Sequence, residues 1–157
     1  HVQYGTYYLP WVQEAADKYN LSELLVYSLI YQESRFAAHA YSTAGASGLM
    51  QLMPATAAQI ASEIGYPSDY SQPDLAVPLY NLELGTNYLA RQIYVFEGDV
   101  YHALAAYNGG PYNTMIWKEL TKGDPDVFLN SIRILETRTY LRRIVEIYHT
   151  YSLIYGN

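Results

Sequence analysis

Glu33 stands in "YQESRF" (31–36), directly after an apolar stretch carrying Leu21, Leu24, Leu25, Val26, Leu29 and Ile30. A helix bearing those residues is apolar around most of its girth, so the carboxyl at its end is partly desolvated. Desolvation favours the neutral form and raises the pKa, which is what a general acid requires near neutral pH. The same spacing also suits a helix-end solvent contact or a pair with Arg35. The next segment, "AYSTAGASGLMQLMP" (40–54), holds groups fit for a ligand. Gly45 and Gly48 can bring backbone close to it or take positive φ, Ser42 and Gln51 are polar, and Leu49, Met50 and Met53 are apolar. A glycine turn before a core helix reads equally well. The "GxxG" at 45–48 lacks the lysine of a phosphate loop and the spacing of a dinucleotide fingerprint. In "LAAYNGGP" (104–111), Tyr107 and Asn108 end an apolar run, as cleft groups or as a core ring and a helix cap. In "ILETRTYLRR" (134–143), Glu136 caps a helix, pairs with Arg138, Arg142 or Arg143, or faces the same cleft as Glu33.

Positioning these groups falls to a series of helices. Leu9 to Asn20 reads as a first short helix, with Pro10 in its opening turn. The second runs from about Ser22 to Glu33, with Ser22 as N-cap and Leu21 placed for a hydrophobic staple. Its end opens into a small-residue loop. Pro54 starts a third helix whose Ala57, Ile60, Ala61 and Ile64 share a face and which Gly65 stops. "YPSDYSQPDLAVP" is a turn-rich connection. From about Pro78 to Phe96, Gly85, Leu89, Ile93 and Phe96 form a stripe, and Gly85 permits a close helix crossing. Asp99 caps a short helix reaching Ala106, "NGGP" breaks the chain, and Pro111 begins another helix through about Leu120. "TKGDPD" is a turn. A last helix, from about Glu136 to Tyr155, turns Leu141, Ile144, Val145, Tyr148 and Tyr151 inward. Period-two alternation is absent, so the expected class is all-α or mainly α, with any strand confined to a small accessory hairpin.

At 157 residues and 50% hydrophobic, the chain fits one domain, 1–157, with a real core. Its 19 tyrosines suit either a groove for a polar, ring-shaped ligand such as sugar or an aromatic core. A net charge of -6 with nine Lys plus Arg provides no basic field for nucleic acid. The absence of cysteine excludes disulfides and thiolate metal sites. His1, His39, His102 and His149 show no HExxH pattern, so no metal is expected. No run of about 18 apolar residues supports a membrane span. A chain starting at His1 without a signal-like segment leaves room upstream for a secretion signal, a lipid anchor or another domain.

Four segments taken together resemble one family. "ESRF", "STAGASGLMQLMPATA", "LAAYNGGP" and "ETRTYLRRIVEIYHTY" stand in the order and approximate spacing of the soluble lytic transglycosylase catalytic domain. The resemblance runs roughly from Trp11 to Tyr151 and implies a goose-type-lysozyme-like helical domain. It implies Glu33 as the single catalytic acid, with Ser34 in a structural "ES" pair. Ser42 matches a serine bonding near the N-acetyl region of the sugar, and Gln51 and Met53, beyond Gly48 in the glycine segment, match glycan contacts. Tyr107 matches a tyrosine that orients substrate or acid, with Asn108 as its structural partner. Glu136 matches a second polar cleft residue and Tyr140 a supporting one. The implied reaction cleaves the β-1,4 bond between N-acetylmuramic acid and N-acetylglucosamine in peptidoglycan, outside the cytoplasmic membrane, without metal or organic cofactor. Two family prolines are missing: "FAAHA" replaces an "NPxA"-like stretch, and "SIRILET" replaces an "IP" before the late "ET". Their loss is expected to loosen local loops, and Arg133 to alter charge near the cleft.

Most glycosidases use two carboxylates. The resemblance implies one, with the N-acetyl group of the substrate stabilising charge at C1 and its C6 hydroxyl closing a 1,6-anhydro ring. A goose-type-like lysozyme that uses water and a non-catalytic glycan-binding module remain as alternatives.

Overall fold

The computed structural model describes residues 4–122, 124, 126–127 and 135–156. Among them are the α-helices α1 (Leu9–Lys18), α2 (Glu23–Ser34), α3 (Pro54–Ile64), α4 (Pro78–Val95), α5 (Val100–Gly109), α6 (Pro111–Leu120) and α7 (Leu135–Tyr155), with a 3₁₀ turn at Gln72–Ala76. None is long and apolar enough to cross a membrane. The strand content of the described residues is two isolated antiparallel bridges, Tyr41 with Ser47 and Ser47 with Leu52. The expected accessory hairpin is reduced to these.

Backbone contacts divide the chain into two compact units, His1–Tyr88 with Ile147–Asn157, and Leu89–Glu146. The first is built around α2, in which every residue from Leu25 to Tyr31 is buried. Ser22 caps the helix by accepting the Leu25 N–H at 3.3 Å. Around it lies a tyrosine cluster: Tyr4 stacks on Tyr31 with centroids 5.1 Å apart, and Tyr27 stacks on Tyr151 at 5.7 Å. Tyr151 donates to the Gly5 carbonyl and Tyr155 to that of Tyr4, so the end of α7 closes on the start of the chain. Burial pushes the phenols of Tyr27 and Tyr151 up, which keeps these rings neutral. In this unit Tyr27, Tyr31 and Tyr151 are therefore core. Tyr41, Tyr94 and Tyr112 are the most exposed tyrosines among the described residues.

In the second unit, Asp99 caps α5 by accepting the His102 N–H at 3.1 Å, as expected, and its other oxygen lies 2.7 Å from His102 Nδ1. The buried imidazole stacks on Phe96. α5 continues three residues beyond the expected end, through Tyr107 and Asn108, and the break falls at Gly110, with φ 89°. The extension is favourable because Ala103 to Tyr107 are all buried, so helical packing outweighs the low propensity of Asn and Gly. Asn108 is thus inside the helix and caps nothing. In α7 the inward positions are Tyr140, Leu141, Ile144, Ile147 and Tyr151. Val145 and Tyr148, expected inward, are 43% and 39% exposed. They lie about 100° from Ile144 and Ile147 on a helix of 3.6 residues per turn. The expected "TKGDPD" turn and Arg133 lie partly or wholly outside the described residues.

Candidate active site

Glu33 occupies the last turn of α2 and is partly buried. Two consecutive left-handed residues end the helix, Arg35 at φ 51° and Phe36 at φ 64°. Such a conformation costs about 1–2 kcal/mol per non-glycine residue and persists only where packing enforces it. Packing here comes from the Phe36 ring, 5.3 Å from that of Tyr7 and 6.0 Å from that of Tyr27. The following turn is bonded from Ala37 N–H to the Ser34 carbonyl and from Ala40 N–H to that of Ala37, each at 3.0 Å. The missing first proline thus leaves a turn held by hydrogen bonds and aromatic contacts. Arg35 directs its guanidinium over the Tyr31 ring, 5.7 Å from its centroid.

Ser34 connects this turn to the next motif. Its Oγ donates to the Leu49 carbonyl at 2.8 Å, with the Ile30 carbonyl also in reach at 3.2 Å. The loop it grips, 40–53, is tightly cross-bonded. Ser42 N–H donates to the Ala46 carbonyl and Ser42 Oγ accepts the Ala46 N–H at 3.0 Å, so the hydroxyl proton remains for an outside acceptor. Gln51 sits at φ 49° and gives its Nε2 protons to the carbonyls of Ala40, at 3.1 Å, and Gly48, at 3.0 Å. Its remaining capacity is the acceptor Oε1. Met53 is 45% exposed at the start of α3. Glu33, Ser34, Ser42, Gly48, Gln51 and Met53 are thus placed by one short helix end and one bonded loop of the first unit.

Asn81, a residue the sequence patterns did not single out, holds that loop. It is 0% exposed. Its Oδ1 accepts the Met50 N–H at 2.7 Å, and its Nδ2 donates to the carbonyls of Ser47 and Leu75 at 2.9 Å each. Gly48, at φ 83°, makes room for it: a Cβ there would overlap Asn81 Nδ2 and the Leu75 carbonyl oxygen. The missing side chain at Gly48 is what lets the clamp close. Gly85 likewise lies against the Met50 side chain, so the close approach it permits is to the loop and not the expected helix crossing. We expect Gly48→Ala to lower stability by about 1–3 kcal/mol through overpacking, read as a lower urea midpoint.

The second unit carries the other candidates. Tyr107 is buried in the last turn of α5, and the next residue, Asn108, accepts through Oδ1 from Thr137 Oγ1 at 2.8 Å. Glu136, beside Thr137, is exposed in the first turn of α7 and, among the described residues, makes no ion pair with Arg138, Arg142 or Arg143. Tyr140 is buried one turn further on.

Comparison with known proteins places this arrangement in a family. A profile described as "Transglycosylase SLT domain" matches residues 10–127. The soluble lytic murein transglycosylase of Salmonella typhimurium is 35% identical over 129 residues, covering 80% of this chain and 20% of the relative. Lytic transglycosylase Slt of Pseudomonas aeruginosa, solved as an inactive Glu-to-Gln mutant, is 31% identical, with a TM-score of 0.86 over 96% of this chain and 25% of the other. The 70 kDa soluble lytic transglycosylase of Escherichia coli is 27% identical, with a TM-score of 0.92 over 100% of this chain and 26% of the other. This chain therefore spans about a fifth to a quarter of the length of these relatives. The all-α, lysozyme-like fold expected from the sequence is the fold found. With three quarters of the chain inside the family profile and that fold in common, the protein belongs to the transglycosylase SLT domain family.

Proposed function

We propose that the chain is a lytic transglycosylase catalytic domain that cleaves the β-1,4 bond between N-acetylmuramic acid and N-acetylglucosamine in peptidoglycan and leaves a 1,6-anhydromuramic end. The observation that carries this reading is the Ser34 hydrogen bond to the Leu49 carbonyl, which fixes the turn bearing Glu33 to the loop bearing Ser42, Gln51 and Met53. An acid, a hydroxyl donor, an amide acceptor and an exposed thioether are thereby held on one rigid piece of backbone, as recognition and protonation of an N-acetylated sugar require. The relatives named as lytic murein transglycosylases support the substrate class, and the inactive Glu-to-Gln mutant of the Pseudomonas protein supports dependence on one acid.

In the proposed cycle, protonated Glu33 gives its proton to the glycosidic oxygen as the C1–O bond breaks, releasing the N-acetylglucosamine hydroxyl. The N-acetyl group of the muramic acid stabilises the positive charge at C1. The Glu33 carboxylate then takes the C6 hydroxyl proton while that oxygen bonds to C1. The acid is regenerated and no water is consumed. Attack within one sugar gains from orientation. Ser42 and Gln51 act by holding the acetamido group and glycan, Met53 by apolar contact, and Tyr107 and Glu136 are the candidate glycan contacts of the second unit. Ser34, Gly48, Asn108 and Tyr140 support these groups. No step requires a metal or organic cofactor. Peptidoglycan as substrate sets the place of action in the periplasm or cell envelope.

Mass spectrometry of purified murein digested by the protein tests the reading. Muropeptides one water lighter than hydrolytic products are expected. Exclusively reducing ends would assign a lysozyme-like hydrolase, and glycan binding without cleavage across a broad pH range a non-catalytic module.

A further inference from the structure

Thr137 is 1% exposed, stands beside the exposed Glu136, and donates its hydroxyl to Asn108, which follows Tyr107. One hydrogen bond therefore joins the backbone segments that carry both candidate glycan contacts of the second unit. The joint is also sterically closed. Gly109 lies so near that a Cβ there would come 3.0 Å from Thr137 Oγ1 and 3.4 Å from the Trp117 ring. Trp117 belongs to α6, whose start is bonded back to the same corner by Asn113 Nδ2 on the Gly109 carbonyl and Thr114 Oγ1 on that of Gly110. Three helices thus meet around Gly109, with the Thr137 hydroxyl on one side and the Trp117 ring on another. A threonine in the first turn of a helix has no earlier helical turn whose carbonyl it could bond. This one, in the first turn, reaches across to a side chain. Asn108, although helical, has its side-chain oxygen oriented by the same bond.

We propose that Thr137 is a positioning residue, acting through Asn108 to fix Glu136 and Tyr107 relative to one another within the second unit. The proposal rests on the reading of Glu136 as a glycan contact. Thr137 itself touches no substrate. Its effect on turnover passes through the orientation of its neighbours, and small misplacements of such groups are costly in rate.

The test is a double-mutant cycle of Thr137→Val with Glu136→Gln, read both by release of anhydromuropeptides and by calorimetric affinity for a β-1,4-linked N-acetylglucosamine pentamer. We expect T137V to lower kcat/KM roughly tenfold, by raising KM more than it lowers kcat. T137S, which keeps the hydroxyl, is expected to restore most of the loss. In the E136Q background T137V should change little further, because coupled residues are non-additive. Gly109→Ala provides a variant that displaces the hydroxyl without removing it, should T137V fold poorly. It is expected to weaken binding in the same way. A T137V effect that is additive with E136Q, or a fall in melting temperature with unchanged KM and affinity, overturns the proposal and leaves Thr137 as packing. If the wild type binds the pentamer but releases no anhydro product, the functional reading fails while the affinities still decide this one. A wild type that does neither overturns both.

Discussion

Replacing Glu33 by Gln is expected to leave a folded protein whose release of anhydromuropeptides falls by roughly 10² to 10⁴, the scale of a lost general acid. Glutamine preserves the size and polarity of the side chain but can neither donate the acidic proton nor reclaim one from the C6 hydroxyl. Both halves of the proposed cycle therefore fail together. The fold should survive because the residues that end α2 and fix the turn are others: Ser34 bonds Leu49, and Phe36 packs among Tyr7, Tyr27 and Tyr31. Circular dichroism and melting temperature close to wild type, together with lost product in a muropeptide assay, are the expected pair of results. Normal turnover by folded E33Q would remove the catalytic role from this residue.

The largest effect on stability is expected at Asn81. In Asn81→Leu a side chain of the same branching replaces the amide, but the Met50 N–H and the Leu75 carbonyl lose the bond Asn81 gives them, while the Ser47 carbonyl keeps the Leu52 N–H at 3.1 Å. Each buried group left without a partner costs about 1–3 kcal/mol, so with two such groups a loss of about 2–6 kcal/mol is expected. Against a typical total of about 5–15 kcal/mol this is a large fraction. Urea unfolding measures it directly. Because the clamp holds the backbone on either side of Gly48 and immediately before Gln51, we further expect affinity for chitooligosaccharide to fall in any folded fraction. An unfolding free energy within about 0.5 kcal/mol of wild type, the range of an ordinary surface substitution, would show that the loop holds its shape without Asn81.

These two sites differ in how visibly the sequence announces them. Glu33 is conspicuous because a carboxyl follows a dense apolar run, and Pro54, Gly65, Asp99 and Pro111 mark helix ends through local chemistry that tertiary packing left intact. Asn81 reads as an ordinary polar residue of α4. Its one signal is spacing: it lies four residues before Gly85 and eight before Leu89, a polar group on an otherwise apolar stripe. Such a position demands buried partners, yet those partners are backbone groups 6 to 34 residues away in sequence, which no local pattern encodes. The roles of Gly48 and Gly85 were hidden for the same reason. Positive φ and close approach are legible as possibilities, but whether a ligand, a helix or a loop fills the space depends on the assembled fold. The misplacement of Val145 and Tyr148 has another origin. Hydrophobic residues fill more of α7 than its buried stripe can accept, and only the phase set by Leu141, Ile144 and Tyr151 separates the inward from the exposed.

The central chemical claim is that the oxygen closing on C1 comes from the sugar itself. Digesting murein with the wild-type protein in water labelled with heavy oxygen tests it most directly, by the masses of the released muramic ends. Ends that carry no label and lack one water are expected; ends that carry the heavy isotope at C1 would show that solvent is the nucleophile and contradict the account.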